Sequence, residues 1–207
     1  MTRTTRILLK TVVWLICLWP LGLLLYRAAN NALGPDPTAE IASITGLSAL
    51  WMLAATLALT PLRRLSKHLN WLASLRRLLG LFVFFYATLH LATYFALYAG
   101  FDPNTITSDL TKRRFIVIGM ATWLLLLPLA ATSTQWAIRK LGGKRWNQLH
   151  KLVYLAAIGG MIHYWWKVKA GVLSPAPFTL VLLALLLARV VYAGLQARKR
   201  LARERAA

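Results

Sequence analysis

Long runs without a charge alternate with short polar stretches along this chain. Thr11–Tyr26 lies between Lys10 and Arg27, and Ile41–Leu62 between Glu40 and Arg63. Leu78–Phe101 follows Arg76-Arg77, and Phe115–Ile138 follows Lys112-Arg113-Arg114. Leu152–Trp166 sits between two lysines, and Ala170–Ala188 closes the set. A hydrocarbon core about 30 Å thick is crossed by a helix of about 20 apolar residues. Lipid offers no partner to a backbone N–H or C=O, so each run predicts a helix. The first and fifth runs are short. They span if Lys10, Arg27, Lys151 and Lys167 reach to the interface and Trp146 joins the fifth helix. The pattern therefore predicts an all-α membrane protein, a six-transmembrane-helix bundle.

The polar stretches read as connections. Ala28–Glu40 contains Asn30, Asn31, Gly34, Pro35 and Pro37, and Gly100–Asp109 contains Asp102-Pro103-Asn104, so both read as loops. Gly142-Gly143 breaks the chain before the fifth helix. No linker separates two domains and no internal repeat stands out. Residues 1–207 are expected to form a single transmembrane domain, with a basic tail over about 196–207.

Composition sharpens this picture. Hydrophobic residues make up 58% of the 207, and charged residues only 14%, well below a soluble domain's share. The 25 Lys and Arg against 5 Asp and Glu give a net charge of +20. Most basic residues flank apolar runs, with no basic face of interleaved polar readers, which argues against nucleic acid. They are better read as topology signals and contacts to anionic lipid. Arg3–Lys10, Arg63–Arg77, Arg139–Lys151 and Arg198–Arg205 hold most of them and fall on one side of an alternating bundle. Asp36, Glu40, Asp102 and Asp109 fall on the other, with Arg27, Lys167, Lys169 and the dissenting Lys112–Arg114 cluster. The positive-inside rule then places both termini in the cytoplasm. The single cysteine, Cys17, lies within an apolar run and reads as a small buried hydrophobe.

The histidines carry the chemistry. His68 lies in a polar connection and reads as a solvated or headgroup-facing residue. His90 falls in the third helix, and His150 and His163 in the fifth. An ionisable group within the bilayer is a functional hypothesis by default; a histidine bonded to a neighbouring backbone or hydroxyl group is the alternative. The third and fifth helices run in the same direction, so equal offsets mean equal depth. His163 lies 13 residues beyond His150, about 20 Å of rise. The same step back from His90 reaches Arg77. His90 thus pairs with His163 at an outer level, and Arg77 with His150 at an inner one. Two histidines from facing helices suit an axially coordinated iron porphyrin. Zinc would want further N, S or O ligands, which these helices do not supply. On a straight helix His150 and His163 lie roughly 140° apart, and Gly159-Gly160 between them could permit a kink or a close helix approach. Phe82, Phe84, Phe85, Tyr86, Tyr94 and Phe95 crowd the third helix, and Tyr164, Trp165 and Trp166 follow His163. They could surround a cofactor or face lipid and interface. Arg76, Arg77, Lys144 and Arg145 could pair with propionates or serve as positive-inside anchors. A metal or proton transporter using intramembrane histidines, and a structural membrane subunit, are the competing classes; the first would expect intramembrane acids and broken half-helices, which are not evident.

Arg76-Arg77-Leu78-Leu79-Gly80-Leu81 with Ala87-Thr88-Leu89-His90, Trp146-Asn147-Gln148-Leu149-His150-Lys151-Leu152-Val153-Tyr154, His163-Tyr164-Trp165-Trp166 and Thr60-Pro61-Leu62-Arg63 resemble the haem-binding subunits of the periplasmic protein-methionine-sulfoxide reductase system (the MsrQ or YedZ family). The resemblance covers nearly the whole chain. It implies a ferric-reductase-like transmembrane domain in the bacterial inner membrane that binds one or two b-type haems through His90, His150 and His163. It implies electron transfer from the quinone pool, or from a cytoplasmic flavin reductase, to a periplasmic molybdopterin methionine sulfoxide reductase that repairs oxidised proteins and forms a heterodimer with it. It also implies FMN, for which no residue is placed. The wider family holds two haems with two histidine pairs. Arg77 stands at the fourth position here, in the inner haem's environment, which leaves the inner iron's second ligand open between a remote His68 and an open position at His150. The chain contains no Gly-rich dinucleotide fingerprint, and its short tail leaves no room for a nucleotide-binding domain. It is expected to act as an electron-transfer subunit, with substrate chemistry on the partner. The outer connections Ala28–Glu40 and Gly100–Arg114 are the expected contact regions.

Overall fold

The structure, a computed structural model, describes residues 3–168 and 174–205, apart from the side chains of Arg3, Arg6, Leu65, Lys67 and His68. The start of the sixth apolar run and Lys169 lie outside the described residues, as does the His68 side chain. Every regular element among the described residues is helical. The order is α1 (Arg3–Ala29), α2 (Pro37–Leu65), a 3₁₀ segment (Lys67–Ser74), α3 (Arg76–Thr93), a π-helical turn (Tyr94–Tyr98), α4 (Pro103–Lys112), α5 (Arg114–Ala131), α6 (Gln135–Leu141), α7 (Gly143–Leu149), α8 (Leu152–Lys167) and α9 (Ala176–Arg205).

Five stretches are long and apolar enough to cross a membrane: Ile7–Ala29, Pro37–Arg64, Leu69–Tyr98, Arg114–Ala131 and Ala176–Arg205. The fifth apolar run forms a helix of only 16 residues. Trp146 does not extend it, because the chain turns at His150-Lys151 between α7 and α8. The fourth run also divides. α5 stops at Ala131, three residues after Pro128, and Thr134 starts α6 by accepting from the Ala137 N–H at 3.1 Å. Gly142, at φ +76°, turns the chain from α6 into α7.

Both expected loops contain helix. Asp36 accepts from the Ala39 N–H at 2.9 Å and Pro37 opens α2. Asp102 accepts from the N–H groups of Thr105 at 2.9 Å and Asn104 at 3.2 Å, and Pro103 opens α4. In both, an Asp cap is followed by a proline whose missing N–H costs the first helical position nothing.

α2 is the central element, packed on α3, α9 and α1, while α5 packs on α8. Leu53, Leu57, Val83, Leu126, Ala156 and Leu182 join α2, α3, α5, α8 and α9 in one core. Cys17, Leu79 and Phe82 join α1 and α3 in a second. Gly159 and Gly160 let α8 approach closely without breaking it. A Cβ at Gly159 would collide with the Thr122 hydroxyl, and one at Gly160 would lie 3.0 Å from Leu50.

Two polar side chains repair backbone groups near prolines. The fully buried Tyr86 donates its hydroxyl to the Cys17 carbonyl at 2.7 Å and accepts from the Leu21 N–H at 3.2 Å, bridging one rung of α1 beside Pro20. Pro61 of α2 has no N–H for the Leu57 carbonyl. Arg189 of α9 donates to that carbonyl and to the Leu185 carbonyl at 3.0 Å, and its guanidinium lies 5.5 Å from the Tyr154 ring centre. The arginine thereby ties α9 to the proline position of α2.

Candidate functional site: a seated histidine pair

His90, near the end of α3, and His163, in the last turns of α8, come together. Their ring centres are 5.8 Å apart and their planes meet at 87°. α2 and α5 hold them in the same way. His90 Nδ1 donates to the Ala42 carbonyl at 2.9 Å, with the buried Thr45 hydroxyl 3.5 Å away. His163 Nδ1 donates to the Phe115 carbonyl at 2.7 Å. In both, the acceptor precedes its histidine by 48 residues. In both, a glycine four residues after the acceptor lies under the ring. A Cβ on Gly46 would sit 3.0 Å from His90 Cε1, and one on Gly119 would sit 2.6 Å from His163 Nδ1. The α2–α3 and α5–α8 pairs thus carry one device twice.

An imidazole that donates through Nδ1 keeps its Nε2 lone pair for a ligand. Neither Nε2 is engaged by the hydrogen bonds among the described residues. Both rings border a mostly apolar cavity of about 250 Å³, which Trp123, Arg113 and Lys167 also line. Arg113 pairs with Asp109 at 3.0 Å, and Tyr94 donates to the same carboxylate at 3.2 Å. Metal–imidazole bonds are about 2 Å long, so two rings sharing one metal have centres roughly 6 Å apart. The observed 5.8 Å fits that. Among the described residues no group of three or more His, Cys, Asp and Glu could hold a metal ion. The donor set is therefore two imidazoles, which suits an iron whose remaining ligands come from a porphyrin rather than a tetrahedral zinc.

The other end of the bundle is built differently. Lys10, Arg63, Arg76, Arg77 and Arg189 border a cavity of about 500 Å³ together with His150, with no carboxylate among the described lining. His150 and Arg77 are thus brought to one cavity. The fifth-helix placement of His150 is corrected, however: it occupies the turn between α7 and α8, so the 140° offset expected on one straight helix does not apply. Its Nε2 lies 3.2 Å from the Thr132 hydroxyl, which spends its own proton on the Pro128 carbonyl at 2.7 Å. Nε2 is therefore the donor there. Trp146 stacks on the imidazole at 3.8 Å and donates to the Thr132 carbonyl at 2.9 Å. Because the arginine cavity adjoins the starts of α3 and α8, and the histidine pair their ends, the two helices run the same way, as their charges implied.

Asp102, in the connection that leads into α4, has a clear cause of perturbation. The Thr105 hydroxyl at 2.6 Å, then the Thr105 and Asn104 N–H groups, hold its carboxyl below the ordinary carboxylate range.

The paired carbonyls and glycines were not anticipated from sequence. Their signal is an internal spacing: Ala42, Gly46 and His90 recur as Phe115, Gly119 and His163 at the same separations.

Comparison with known proteins agrees with this architecture. A family described as "Ferric reductase like transmembrane component" matches residues 40–161. The protein-methionine-sulfoxide reductase heme-binding subunit MsrQ of Herminiimonas arsenicoxydans is 46% identical over 189 residues, 90% of this chain and 86% of that protein. The same-named protein of Ralstonia nicotianae is 45% identical over 162 residues, 78% of this chain and 74% of its own. That of Xanthomonas axonopodis pv. citri is 42% identical over 208 residues, 98% and 94%. No solved structure matches.

Proposed function

The chain belongs to the ferric-reductase-like transmembrane family and, within it, to the MsrQ haem-binding subunits, and from that premise we propose that it is a b-type cytochrome relaying electrons across the bacterial inner membrane to a methionine sulfoxide reductase. In this reading residues 1–207 form one ferric-reductase-like domain with six spans, α8 being the short one, and both termini are cytoplasmic. The arginine cavity then faces the cytoplasm, and the histidine pair lies toward the periplasm. The donor is the quinone pool or a cytoplasmic flavin reductase. The acceptor is a periplasmic molybdopterin subunit that reduces oxidised methionine in proteins and forms a heterodimer with this chain.

The observation that carries the proposal is the His90–His163 pair, with both Nδ1 groups bonded to backbone carbonyls and both Nε2 groups unengaged. His90 and His163 would hold the iron of the outer haem, which supplies a one-electron couple when bound. The Ala42 and Phe115 carbonyls fix the tautomer and strengthen each imidazole as a donor. The apolar lining keeps water from the pair, and Arg113 and Lys167 supply positive charge beside it. At the cytoplasmic end, His150 would be the ligand of a second haem. Arg76 and Arg77 are suited to its anionic propionates. His150 must first give up its bond to Thr132. FMN is a further cofactor of this reading, and no residue is assigned to it.

The test is the absorption spectrum of protein purified from haem-replete cells. Dithionite reduction is expected to give b-type Soret and α bands. A colourless protein would overturn the proposal and favour a structural subunit with buried histidines.

A further inference from the structure

Helix glycines usually weaken a helix, by about 1 kcal/mol against alanine. Gly22 has open space around its Cβ position and gains nothing visible from being glycine. Gly46 and Gly119 are different, because each is the floor on which a histidine ring lies. The α-helix places residue i+4 one turn above the carbonyl of residue i. A ring that hydrogen-bonds the Ala42 carbonyl must therefore pass over position 46, and one that bonds the Phe115 carbonyl must pass over position 119. A side chain there would occupy the ring's place. The two approaches are unequal. At Gly119 a Cβ would lie 2.6 Å from Nδ1 and 2.8 Å from Cε1 of His163, inside any van der Waals contact. At Gly46 the corresponding distances to His90 are 3.1 and 3.0 Å, which a shift of a few tenths of an ångström relieves.

We infer that Gly46 and Gly119 are positioning residues that seat the two imidazoles, Gly119 stringently and Gly46 permissively, and so set their Nδ1–H tautomer and the direction of Nε2. A methyl at position 119 has two ways out. It lifts His163 off the Phe115 carbonyl, freeing the Nδ1 proton, or it pushes α5 away from α8. The second would open the close packing of Thr122 on Gly159 between the same two helices and lose its contacts. The ring is thus the part that yields. The inference rests on the haem reading for its consequence, since the direction of Nε2 decides how well an iron is held. Its geometric part concerns the imidazoles alone.

The experiment compares wild-type protein with Gly119→Ala, Gly46→Ala and the control Gly22→Ala by two measurements. Haem titration into haem-depleted protein is expected to show a fall of roughly 10- to 100-fold in affinity for Gly119→Ala, the range for lost support around a metal ligand. Gly46→Ala should fall less, and Gly22→Ala should match wild type. The haem-free proteins, with ¹⁵N-labelled histidine, are expected to show Nδ1-protonated imidazoles for His90 and His163 in wild type, and loss of that state for His163 alone in Gly119→Ala. Equal affinity and unchanged tautomers in Gly119→Ala would overturn the inference. Wild-type protein that binds no haem while its tautomers still respond to Gly119→Ala would overturn the haem reading and leave the seat standing. If Gly119→Ala does not accumulate, the milder Gly46→Ala decides through its haem affinity: a value equal to that of wild type and of Gly22→Ala would refute the seat.

Discussion

The two ends of the bundle each present histidine to a cavity, yet they prepare it in opposite ways. At one end His90 and His163 lie in apolar surroundings, tied through Nδ1 to main-chain carbonyls that cannot be titrated or rotated away. At the other, His150 sits in a turn, bonded through Nε2 to a threonine hydroxyl, stacked on Trp146 and bordered by arginines. In the proposed reading, the first end offers a metal two Nε2 atoms that no hydrogen bond among the described residues engages. The second is organised around positive charge, and its imidazole has to exchange a partner before it can coordinate. Helix continuity explains part of the contrast. α2, α5 and α8 are regular where they surround the pair, and α3 gives way to a π-helical turn just beyond His90, whereas the α6–α7–turn segment around His150 is broken three times within 20 residues or so.

The largest expected effect is at the pair. His163→Ala should abolish the haem component held there while leaving the arginine-end component in place, so haem content falls without reaching zero if two are bound. Full haem content with unchanged bands would break the contrast between the ends. Next is the tie across the arginine cavity. Arg189→Leu leaves the Leu57 carbonyl without a donor, because Pro61 has none, and should cost about 1–3 kcal/mol in unfolding. Restoring the N–H with Pro61→Ala should shrink that cost, and equal costs in both backgrounds would remove the proposed link. Thr132→Val deletes the acceptor of His150 Nε2, a change of about 1 kcal/mol. It should alter only the arginine-end signal; a change confined to the pair would contradict the assignment. The smallest effect lies on α4, beside the pair. Asp102 has a depressed folded value, so its contribution is present above the ordinary carboxylate range and lost as pH falls through the lowered one. Amide exchange at the start of α4 should therefore quicken in acid, and Asp102→Ala should remove that dependence.

Much of this was legible in the chain. The charge-free runs marked the helices, and the offset of His90 and His163 from Arg77 and His150 marked two levels in parallel helices. Other features turned on groups that hydropathy does not see. The Asp-Pro starts of α2 and α4 lay inside stretches whose Gly, Pro and Asn content suggested loops. The break before α8 depends on a turn at His150-Lys151, a position that carries no Gly or Pro. The carbonyl seats belong to main-chain atoms, which have no letter in the sequence. Only the two glycines and the repeated spacing betray them, and a glycine in a membrane helix has many other uses.

The central claim, that two imidazoles held at nearly right angles share one iron, is tested most directly by electron paramagnetic resonance of the oxidised protein. An 87° angle between the ring planes predicts a highly anisotropic low-spin ferric signal, lost in both His90→Ala and His163→Ala. A rhombic signal of parallel imidazoles, a high-spin signal alone, or a low-spin signal surviving both substitutions would contradict it.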